Sequence, residues 1–280
     1  MNKTLFIITE QKYPHLTQDD QVLKSAFGKL QVDVKVVIWN HFKPQLKSHV
    51  LIRTPWDYSE HRQDFENFLG LLEEMQCQVF NPLSTLRWNM NKRYLLELQE
   101  LNIPIVPTHI VDHYSFSDAS QFLKFGPIVA KPLVGAGGRD TFLIRDESEI
   151  QKSISLLETE VILQPMIESI LNEGEYSFLY FGGEFSHALL KKAKKGEFRI
   201  QEKHGGTVEH YQPSDFEINE VTASLKKIKY SMTYVRVDMV RIEGKLSIME
   251  LEAVEPELFW RLKPQAADEF ASLIAKEWTL

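Results

Sequence analysis

The stretch Tyr234-Val-Arg-Val-Asp-Met-Val-Arg-Ile-Glu-Gly-Lys-Leu-Ser-Ile-Met-Glu-Leu-Glu252 predicts two antiparallel strands joined by a hairpin turn. Polar and apolar residues alternate along both halves, which is the period of a half-buried strand. Gly244, in the middle of the connection, supplies the positive φ that a tight hairpin turn requires. We therefore expect a three-residue loop at 243–245 between the two strands.

Charged side chains gather on one face of this hairpin. Residues two apart in a strand point the same way, so Arg236 shares a face with Asp238, and Glu250 shares a face with Glu252. Asp238 lies opposite Glu250 only if the loop has an odd number of residues or a bulge intervenes, and a three-residue loop meets that condition. The hairpin then presents three carboxylates and a guanidinium on one sheet face.

Three neighbouring carboxylates repel one another unless a cation neutralises them. Their hard oxygen atoms favour Mg²⁺, which combines a few carboxylates with the phosphates of a substrate. An edge hairpin whose acids all face water has the same sequence pattern, because structural charge clusters are common. The hairpin alone leaves both interpretations open.

Length and composition bound the class of protein. A chain of 280 residues predicts two or three domains, because a single core rarely grows beyond this size. A net charge of −7 argues against a general nucleic-acid binder, and the single cysteine, Cys77, fits a reducing compartment. The apolar start at 5–8 is too short for a signal peptide or a membrane span. We expect a cytoplasmic protein that binds neither nucleic acid nor a membrane; its oligomeric state, a homo-oligomer included, stays open.

The first 80 residues alternate between strand and helix patterns, which predicts a small parallel α/β unit. Thr17 and Asp20 resemble a capping box at the start of its first helix. Arg53, Asp57 and Tyr58 follow its third strand, where open α/β sheets present ligand-binding loops. These three residues are candidate substrate contacts, although a packed domain seam fits the same loop.

A glycine-rich loop, Val134-Gly-Ala-Gly-Gly-Arg139, follows a predicted strand that ends at Lys131. Glycines let backbone N–H groups approach an anion, and successive amides form an anion-binding nest. The spacing matches neither a Walker loop nor a dinucleotide fingerprint, and a plain turn fits it as well. Lys131 and Lys92, the latter near the start of a helix predicted at 90–101 with Asn89 as its cap, either neutralise phosphate or are solvated surface residues.

Further signals follow in the second half of the chain. The strand predicted at 161–164 runs into Gln164-Pro-Met-Ile167, which offers backbone groups and apolar walls to an adenine, with Glu175 in reach of a ribose. A core strand that meets a proline turn fits the same residues. Arg199 lies in a long charged loop, and such loops in compact domains are functional or disordered.

The order of these signals resembles the ATP-grasp superfamily of carboxylate–amine ligases over about residues 86–260. The resemblance implies an α/β (α+β) fold with a parallel N-terminal domain, a small central α+β subdomain and a C-terminal antiparallel-sheet subdomain with helices. The expected boundaries are 1–88 for the N-terminal domain, 89–166 for the central subdomain and 167–280 for the C-terminal subdomain with the metal site.

The resemblance also implies roles for the residues. Those expected to bind ATP are Lys92, Lys131, Gly135, Gly137, Gly138, Gln164, Met166, Ile167 and Glu175. Mg²⁺, with two ions expected, is assigned to Asp238 and Glu250, and the third metal position, usually Asn in the family, is Glu252 here. Arg236 and Arg199 are the implied catalytic residues.

Two stretches narrow the resemblance. Met249-Glu-Leu-Glu-x-x-Glu-Pro-x-Leu-Phe259 looks most like the subgroup with the D-cycloserine-forming ligase, and 193–199 looks like the ribosomal-protein glutamate ligases. The implied reaction converts ATP and a small carboxylate to an acylphosphate and ADP, after which an amine expels phosphate. A phosphotransferase on the same scaffold and an ATP-binding module without catalysis are the alternatives.

Overall fold

The computed structural model describes residues 4–135, 137–156, 159–194, 197, 200, 202 and 205–278. The strands of the described residues are β1 (Thr4–Thr9), β2 (Asp33–Ile38), β3 (His49–Thr54), β4 (Gln78–Phe80), β5 (His109–Val111), β6 (Ile128–Pro132), β7 (Phe142–Ile144), β8 (Val161–Pro165), β9 (Glu175–Phe181), β10 (Glu184–Lys192), β11 (Thr207–Tyr211), β12 (Tyr234–Ile242) and β13 (Lys245–Glu252).

The α-helices of the same part of the chain are α1 (Val22–Lys29), α2 (Arg62–Glu74), α3 (Leu83–Asn89), α4 (Tyr94–Glu100), α5 (Phe116–Leu123), α6 (Ser169–Asn172), α7 (Asp215–Lys226) and α8 (Gln265–Glu277). Short 3₁₀ helices occur at Trp39–His41, Trp56–Ser59 and Glu147–Leu156. None of the described helices is both long and apolar enough to cross a bilayer.

The N-terminal sheet has the strand order β2-β1-β3-β4 and is parallel throughout. Its central strands are apolar on both faces, as parallel sheets require when helices cover both sides. Helix α1 packs on one face through Leu23 and Phe27, and α2 packs on the other through Phe65 and Leu69. The predicted parallel α/β unit is therefore confirmed.

The capping box predicted at Thr17 and Asp20 is wrong. Helix α1 begins at Val22, and its N-cap residue, Gln21, makes no side-chain cap hydrogen bond. The Asp20 backbone N–H donates to Thr17 Oγ1 at 3.1 Å, but the Asp20 carboxylate turns inward to a buried partner, Arg53, at 3.0 Å. Because the Asp20 carboxylate forms this buried ion pair, it does not cap the helix.

The central sheet is antiparallel, with the order β5-β8-β6-β7. The helix predicted before it, at 90–101, begins later than expected, because α4 starts only at Tyr94. Asn89 does not cap this helix: its amide donates to the Leu251 carbonyl at 2.9 Å and accepts from the Ala253 N–H at 2.7 Å. These bonds fix Lys92, in the turn between α3 and α4, against the C-terminal sheet.

The C-terminal sheet is antiparallel, with the order β11-β10-β9-β12-β13. One face is apolar and carries Phe178 and Val237. On the other face, Leu179 and Tyr234 pack with Phe270 of α8, while the polar residues gather toward the far end of the strands. That polar half of the sheet is the surface on which the candidate site is built.

The turn of the β12–β13 hairpin is shorter than expected. Ile242 pairs with Lys245, so the turn consists of Glu243 and Gly244 alone, with φ values of 51° and 78°. The three-residue loop predicted at 243–245 is therefore wrong. Positive φ at both central residues is the geometry of the two-residue turns that match the twist of a hairpin.

A β-bulge supplies the odd residue that the turn lacks. Met239 pairs with Ile248, but the preceding residue, Asp238, pairs with Glu250, so Met249 is the extra residue of the bulge. The predicted pairing of Asp238 with Glu250 is thus found, by the second of the two routes that parity allows.

The fold class is confirmed by these three sheets. The strands of each sheet fall within the range expected for one unit, and the boundaries at 88/89 and 166/167 stay predictions.

Candidate active site

A cavity of about 560 Å³ lies between the three sheets, a size typical of small-ligand sites. Its wall includes Tyr58 from the N-terminal sheet, Lys131 and Gln164 from the central sheet, and Asp238 and Glu250 from the C-terminal sheet. Residues far apart in the chain therefore meet around one cavity.

Asp238 is at the centre of the polar floor of this cavity and is buried. Arg236 donates to its carboxylate from Nη2 at 2.8 Å and from Nε at 2.9 Å, and Lys191 Nζ lies at 3.2 Å. Ser177 Oγ also donates to it. Burial opposes ionisation, but Arg236 and Lys191 hold the pKa of Asp238 well below its usual value. These contacts favour the ionised form of the carboxylate.

Glu250, directly opposite Asp238, faces the two predicted phosphate-binding lysines. Lys92 Nζ lies 3.1 Å from Glu250 Oε1 and donates to the Gly135 carbonyl at 2.8 Å. Burial opposes ionisation of Glu250, but the charges of Lys92 and Lys131 lower its pKa. Burial, together with neighbouring Lys92, lowers the pKa of Lys131. The structure thus brings both lysines to the carboxylate hairpin.

Glu252 and Arg236 form the third part of the floor. Arg236 Nη2 donates to Glu252, and its Nη1 donates to the Glu257 carbonyl at 3.1 Å. Burial raises the pKa of Glu252 to about 7, although Arg236 opposes the rise. Arg236 therefore lies between Asp238 and Glu252 on the face where the sequence placed it.

Glu175 and Lys191 pair across β9 and β10, with Lys191 Nζ 3.0 Å from Glu175 Oε1. Burial raises the pKa of Glu175. Sequence reasoning named Glu175 but missed Lys191. A second bulge, at Ser186, hides the pairing, because a regular ladder from the Gly182–Gly183 turn would place Leu190 opposite Glu175.

The donor set suits Mg²⁺ in its chemistry, since three carboxylates share one sheet face. Among the described residues, no three acidic, histidine or cysteine side chains are grouped as in a formed metal site. Their oxygens contact Lys92, Lys191 and Arg236 instead. Asp238, Glu250 and Glu252 could hold a cation only after some of these contacts open.

The glycine-rich loop borders the cavity. Gly137 and Gly138 have φ values of 61° and 71°, a region that favours glycine, and both line the cavity together with Gly135. Arg139 at the end of the loop forms an ion pair with Glu60 of the N-terminal unit. The loop therefore connects the central sheet to the opposite wall.

The predicted adenine segment also lines the cavity. Gln164 is buried and donates from Nε2 to Thr108 Oγ1 at 2.9 Å. The Met166 N–H donates to the Pro127 carbonyl at 2.9 Å, which fixes the segment where Ile167 faces the cavity. These bonds give the chain after β8 a defined shape next to an apolar wall.

The candidate substrate contacts divide into two groups. Asp57 and Tyr58 line the cavity, and the Asp57 carboxylate accepts from Trp39 Nε1 at 2.7 Å. Arg53 is fully buried and is not one of the described residues that line the cavity. Its guanidinium binds Asp20 at 3.0 Å and the Pro256 carbonyl at 2.8 Å. Arg53 therefore lies in the interface between the N-terminal unit and the C-terminal part of the chain, which is the packed domain seam that fits the same loop.

Arg199 lies outside the described residues. Sequence reasoning also missed Glu255, which lines the cavity and accepts a hydrogen bond from Tyr58. Burial raises the pKa of Glu255 to about 8, and neighbouring Glu252 adds to the rise.

Comparison with known families identifies two matching regions. Residues 5–81 match the N-terminal domain of D-cycloserine synthetase DcsG, and residues 95–263 match the RimK-like ATP-grasp domain. The second region alone covers more than half of the chain.

Individual proteins show the same relationship. The chain is 27% identical over 263 residues to the cycloserine biosynthesis protein DcsG of Streptomyces lavendulae, covering 86% of this chain and 85% of that protein. The crystal structure of D-cycloserine synthetase DcsG aligns with a TM-score of 0.86 and 23% identity over 98% of this chain and 99% of that chain.

A more distant structure shares the fold. D-alanine–D-alanine ligase from Bacillus anthracis aligns with a TM-score of 0.69 and 14% identity, covering 98% of this chain and 96% of that chain. With the matching region at 95–263, the chain belongs to the RimK-like ATP-grasp family of ligases.

Proposed function

We propose that this ATP-grasp ligase joins a small-molecule carboxylate to an amine through an acylphosphate, with release of ADP and phosphate. The observation that carries the proposal is the pairing of Asp238 with Glu250 on one sheet face, with Lys92 and Arg236 in direct contact with them. The names of the relatives support it, since D-cycloserine synthetase and D-alanine–D-alanine ligase are both amide-forming enzymes.

The nucleotide would bind between the central and the C-terminal sheets. Lys92 and Lys131 face its phosphates from the side of Glu250, and the 164–167 segment provides the wall for the adenine. Glu175 would accept hydrogen bonds from the ribose. The glycines at 135, 137 and 138 allow backbone N–H groups to approach the terminal phosphate closely.

Mg²⁺, with two ions expected, would be held by Asp238, Glu250 and Glu252. When bound, Mg²⁺ neutralises negative charge on the phosphates and fixes their position. The basic residues Lys92, Lys191 and Arg236 now contact these acids, and they would turn to the phosphate oxygens of the nucleotide.

The reaction follows from this arrangement. A carboxylate oxygen of the acid attacks the terminal phosphorus of ATP, forming an O–P bond as the bond to the bridging oxygen of ADP breaks. The nitrogen of the amine then attacks the acyl carbon, loses a proton, and phosphate leaves. Arg236 would stabilise the negative charge on the oxygen of the tetrahedral carbon, and Arg199 would steer the transferred phosphoryl group or the carboxylate.

The glycine-rich loop would exclude water during these steps, because water would hydrolyse the acylphosphate. Its Arg139 forms an ion pair with Glu60 of the N-terminal unit, on the opposite side of the cavity. Asp57 and Tyr58, on the same wall, are the proposed substrate contacts.

The test is a screen for ADP release that crosses small carboxylic acids with amines, followed by mass spectrometry of the products. A ligase releases ADP only when an acid is present and yields an amide with the amine. A phosphotransferase yields a stable phosphorylated product without consuming amine, and a binding module releases no ADP with any pair. With an ¹⁸O-labelled acid, an acylphosphate route transfers label to the released phosphate, and unlabelled phosphate contradicts it.

Asp238→Asn gives the matched loss-of-function control for this screen. The variant removes the charge that holds Arg236 and Lys191, so we expect ADP release to fall by about 100-fold or more. Glu209→Gln changes an exposed acid of the same sheet, away from the cavity, and should leave ADP release unchanged.

A further inference from the structure

A short segment at 256–261, separated from the end of β13 by residues 253–255, contacts two of the basic residues of the site. Arg236 Nη1 donates to the Glu257 carbonyl at 3.1 Å. The ring of Phe259 lies over both basic groups, with its centroid 5.7 Å from Arg236 Cζ and 5.7 Å from Lys191 Nζ. The inner side of this segment therefore helps to fix where both basic groups point.

The outer side of the same segment is bound by Asp19, in the loop between β1 and α1. Asp19 Oδ2 accepts from the Trp260 backbone N–H at 2.9 Å, and Oδ1 accepts from the Arg261 backbone N–H at 2.9 Å. The side chain of Asp19 is only 8% exposed. Both of its oxygens thus bind the two residues that follow Phe259.

A buried ion pair supports this contact. Asp20 Oδ1 accepts from Trp260 Nε1 at 2.9 Å and from Arg53 Nη2 at 3.0 Å, and Arg53 Nη2 also donates to the Pro256 carbonyl at 2.8 Å. Arg53 and Trp260 are fully buried. The N-terminal unit therefore binds both ends of the 256–261 segment.

The conformation of Phe259 shows why such support is needed. Its φ is 52°, in the left-handed region, which crowds the Cβ of any residue other than glycine. Such a conformation persists where surrounding contacts over-determine it, and the hydrogen bonds from Trp260 and Arg261 to Asp19 are those contacts.

We propose that Asp19 is a positioning residue: by binding the backbone at 260 and 261, it holds Phe259 and Glu257 against Arg236 and Lys191. The N-terminal unit then orients the groups that neutralise the transferred phosphate. This role in phosphate transfer rests on the proposed function, whereas the positioning of Arg236 itself does not.

The test uses the Nη1–H signal of Arg236, the group that donates to the Glu257 carbonyl, in the full-length, ¹⁵N-arginine-labelled protein, assigned by its loss in Arg236→Lys. In Asp19→Asn, one of the two backbone hydrogen bonds loses its acceptor. We expect solvent exchange of this proton to rise about fivefold, the factor that one lost hydrogen bond of about 1 kcal/mol gives. An unchanged exchange rate in folded Asp19→Asn overturns the proposal, whatever the screen for ADP release finds.

Two further variants make the result specific. Asp268→Asn removes an exposed ion pair between α1 and α8, with 2.8 Å to Lys29, and should leave the Arg236 signal unchanged. Phe259→Leu keeps the backbone contacts but removes the ring, so it should raise the exchange rate as well. If Asp19→Asn does not fold, Phe259→Leu decides: an exchange rate equal to wild type overturns the proposal.

Kinetics then separate positioning from substrate binding. With an acid and amine found in the screen, Asp19→Asn should lower kcat with little change in the KM for ATP. In the double variant with Phe259→Leu, the loss of kcat should be smaller than the product of the two single losses, because both changes act on the same ring. Fully additive effects, or a rise in KM alone, contradict the positioning role.

Discussion

Asp238 and Glu250 lie directly opposite each other on β12 and β13, although a two-residue turn joins the two strands. A regular ladder from that turn would pair Asp238 with Met249 and would place Glu250 opposite Val237, on the apolar face of the sheet. The bulge at Met249 shifts the register by one residue. The acidic floor of the site therefore depends on one extra residue in β13.

A second bulge, in β10, shifts the register of Lys191 by one residue. Ser186 interrupts the pairing of β9 with β10, and beyond it Lys191 lies opposite Glu175. Bulges are frequent beside active sites, where they re-aim side chains. Here the bulge at Ser186 brings Lys191 into contact with Glu175 and Asp238.

Glu250→Gln tests the metal assignment. Removing one charged oxygen ligand should raise the Mg²⁺ concentration for half-maximal ADP release about tenfold or more, because Mg²⁺ binds carboxylate oxygen strongly. The measurement is ADP release as a function of Mg²⁺ at saturating ATP, with Glu209→Gln as the control. An unchanged Mg²⁺ dependence would remove Glu250 from the ligand set.

Arg53→Ala separates a seam residue from a substrate contact. The change leaves the Asp20 carboxylate buried without its ion-pair partner, so we expect the free energy of unfolding to fall by about 3 kcal/mol or more. The KM for substrates should stay unchanged. Urea denaturation measures the first quantity and steady-state kinetics the second.

The matched control for Arg53→Ala is Lys29→Ala, which breaks an exposed ion pair with Asp268 and should cost about 1 kcal/mol or less. A rise in KM for Arg53→Ala at unchanged stability would instead make Arg53 a substrate contact.

His187 predicts a pH dependence of stability. Its Nε2–H donates to the Leu258 carbonyl at 3.1 Å, and burial lowers its pKa to about 4. The unfolded chain, with a pKa of about 6.5, binds the proton more readily, so this stabilisation is present above pH 6.5 and is lost as the pH falls toward 4. We expect about 2 kcal/mol of it to be lost between pH 7.5 and 5.

The measurement for His187 is the free energy of unfolding of wild type and His187→Gln across that pH range. The variant cannot take up the proton, so the difference between the two proteins should shrink on acidification. A difference that stays constant between pH 7.5 and 5 would show that His187 does not titrate on unfolding in this range.

Much of the fold could be predicted because its signals are local. Runs of alternating or continuous apolar residues predict strands, and Ser214 and Glu217 form a local capping box that begins α7. Gln164 was expected at the cavity from the order of the motifs along the chain, since the local pattern alone also fits a core strand that meets a proline turn. Such patterns depend on neighbours in the chain, which a sequence displays.

The remaining features depend on contacts between distant residues. The pairing of Arg53 with Asp20 spans 33 residues, and that of Asn89 with Leu251 spans 162. The sequence shows that Asp238 lies opposite Glu250 only if the turn or a bulge contributes an odd residue. Whether the turn or a bulge supplies that residue depends on packing across the sheet. For that reason Lys191, one residue out of phase with a regular ladder, was missed.

The most direct test of the central claim is a crystal structure with Mn²⁺ and a non-hydrolysable ATP analogue, solved with anomalous data at the manganese edge. We predict an anomalous peak at about 2.1–2.3 Å from oxygens of Asp238 and Glu250, shared with the β- and γ-phosphates. Lys92 and Lys131 should contact the α- and β-phosphates. A nucleotide bound elsewhere, or a manganese peak away from these two carboxylates, would contradict the account.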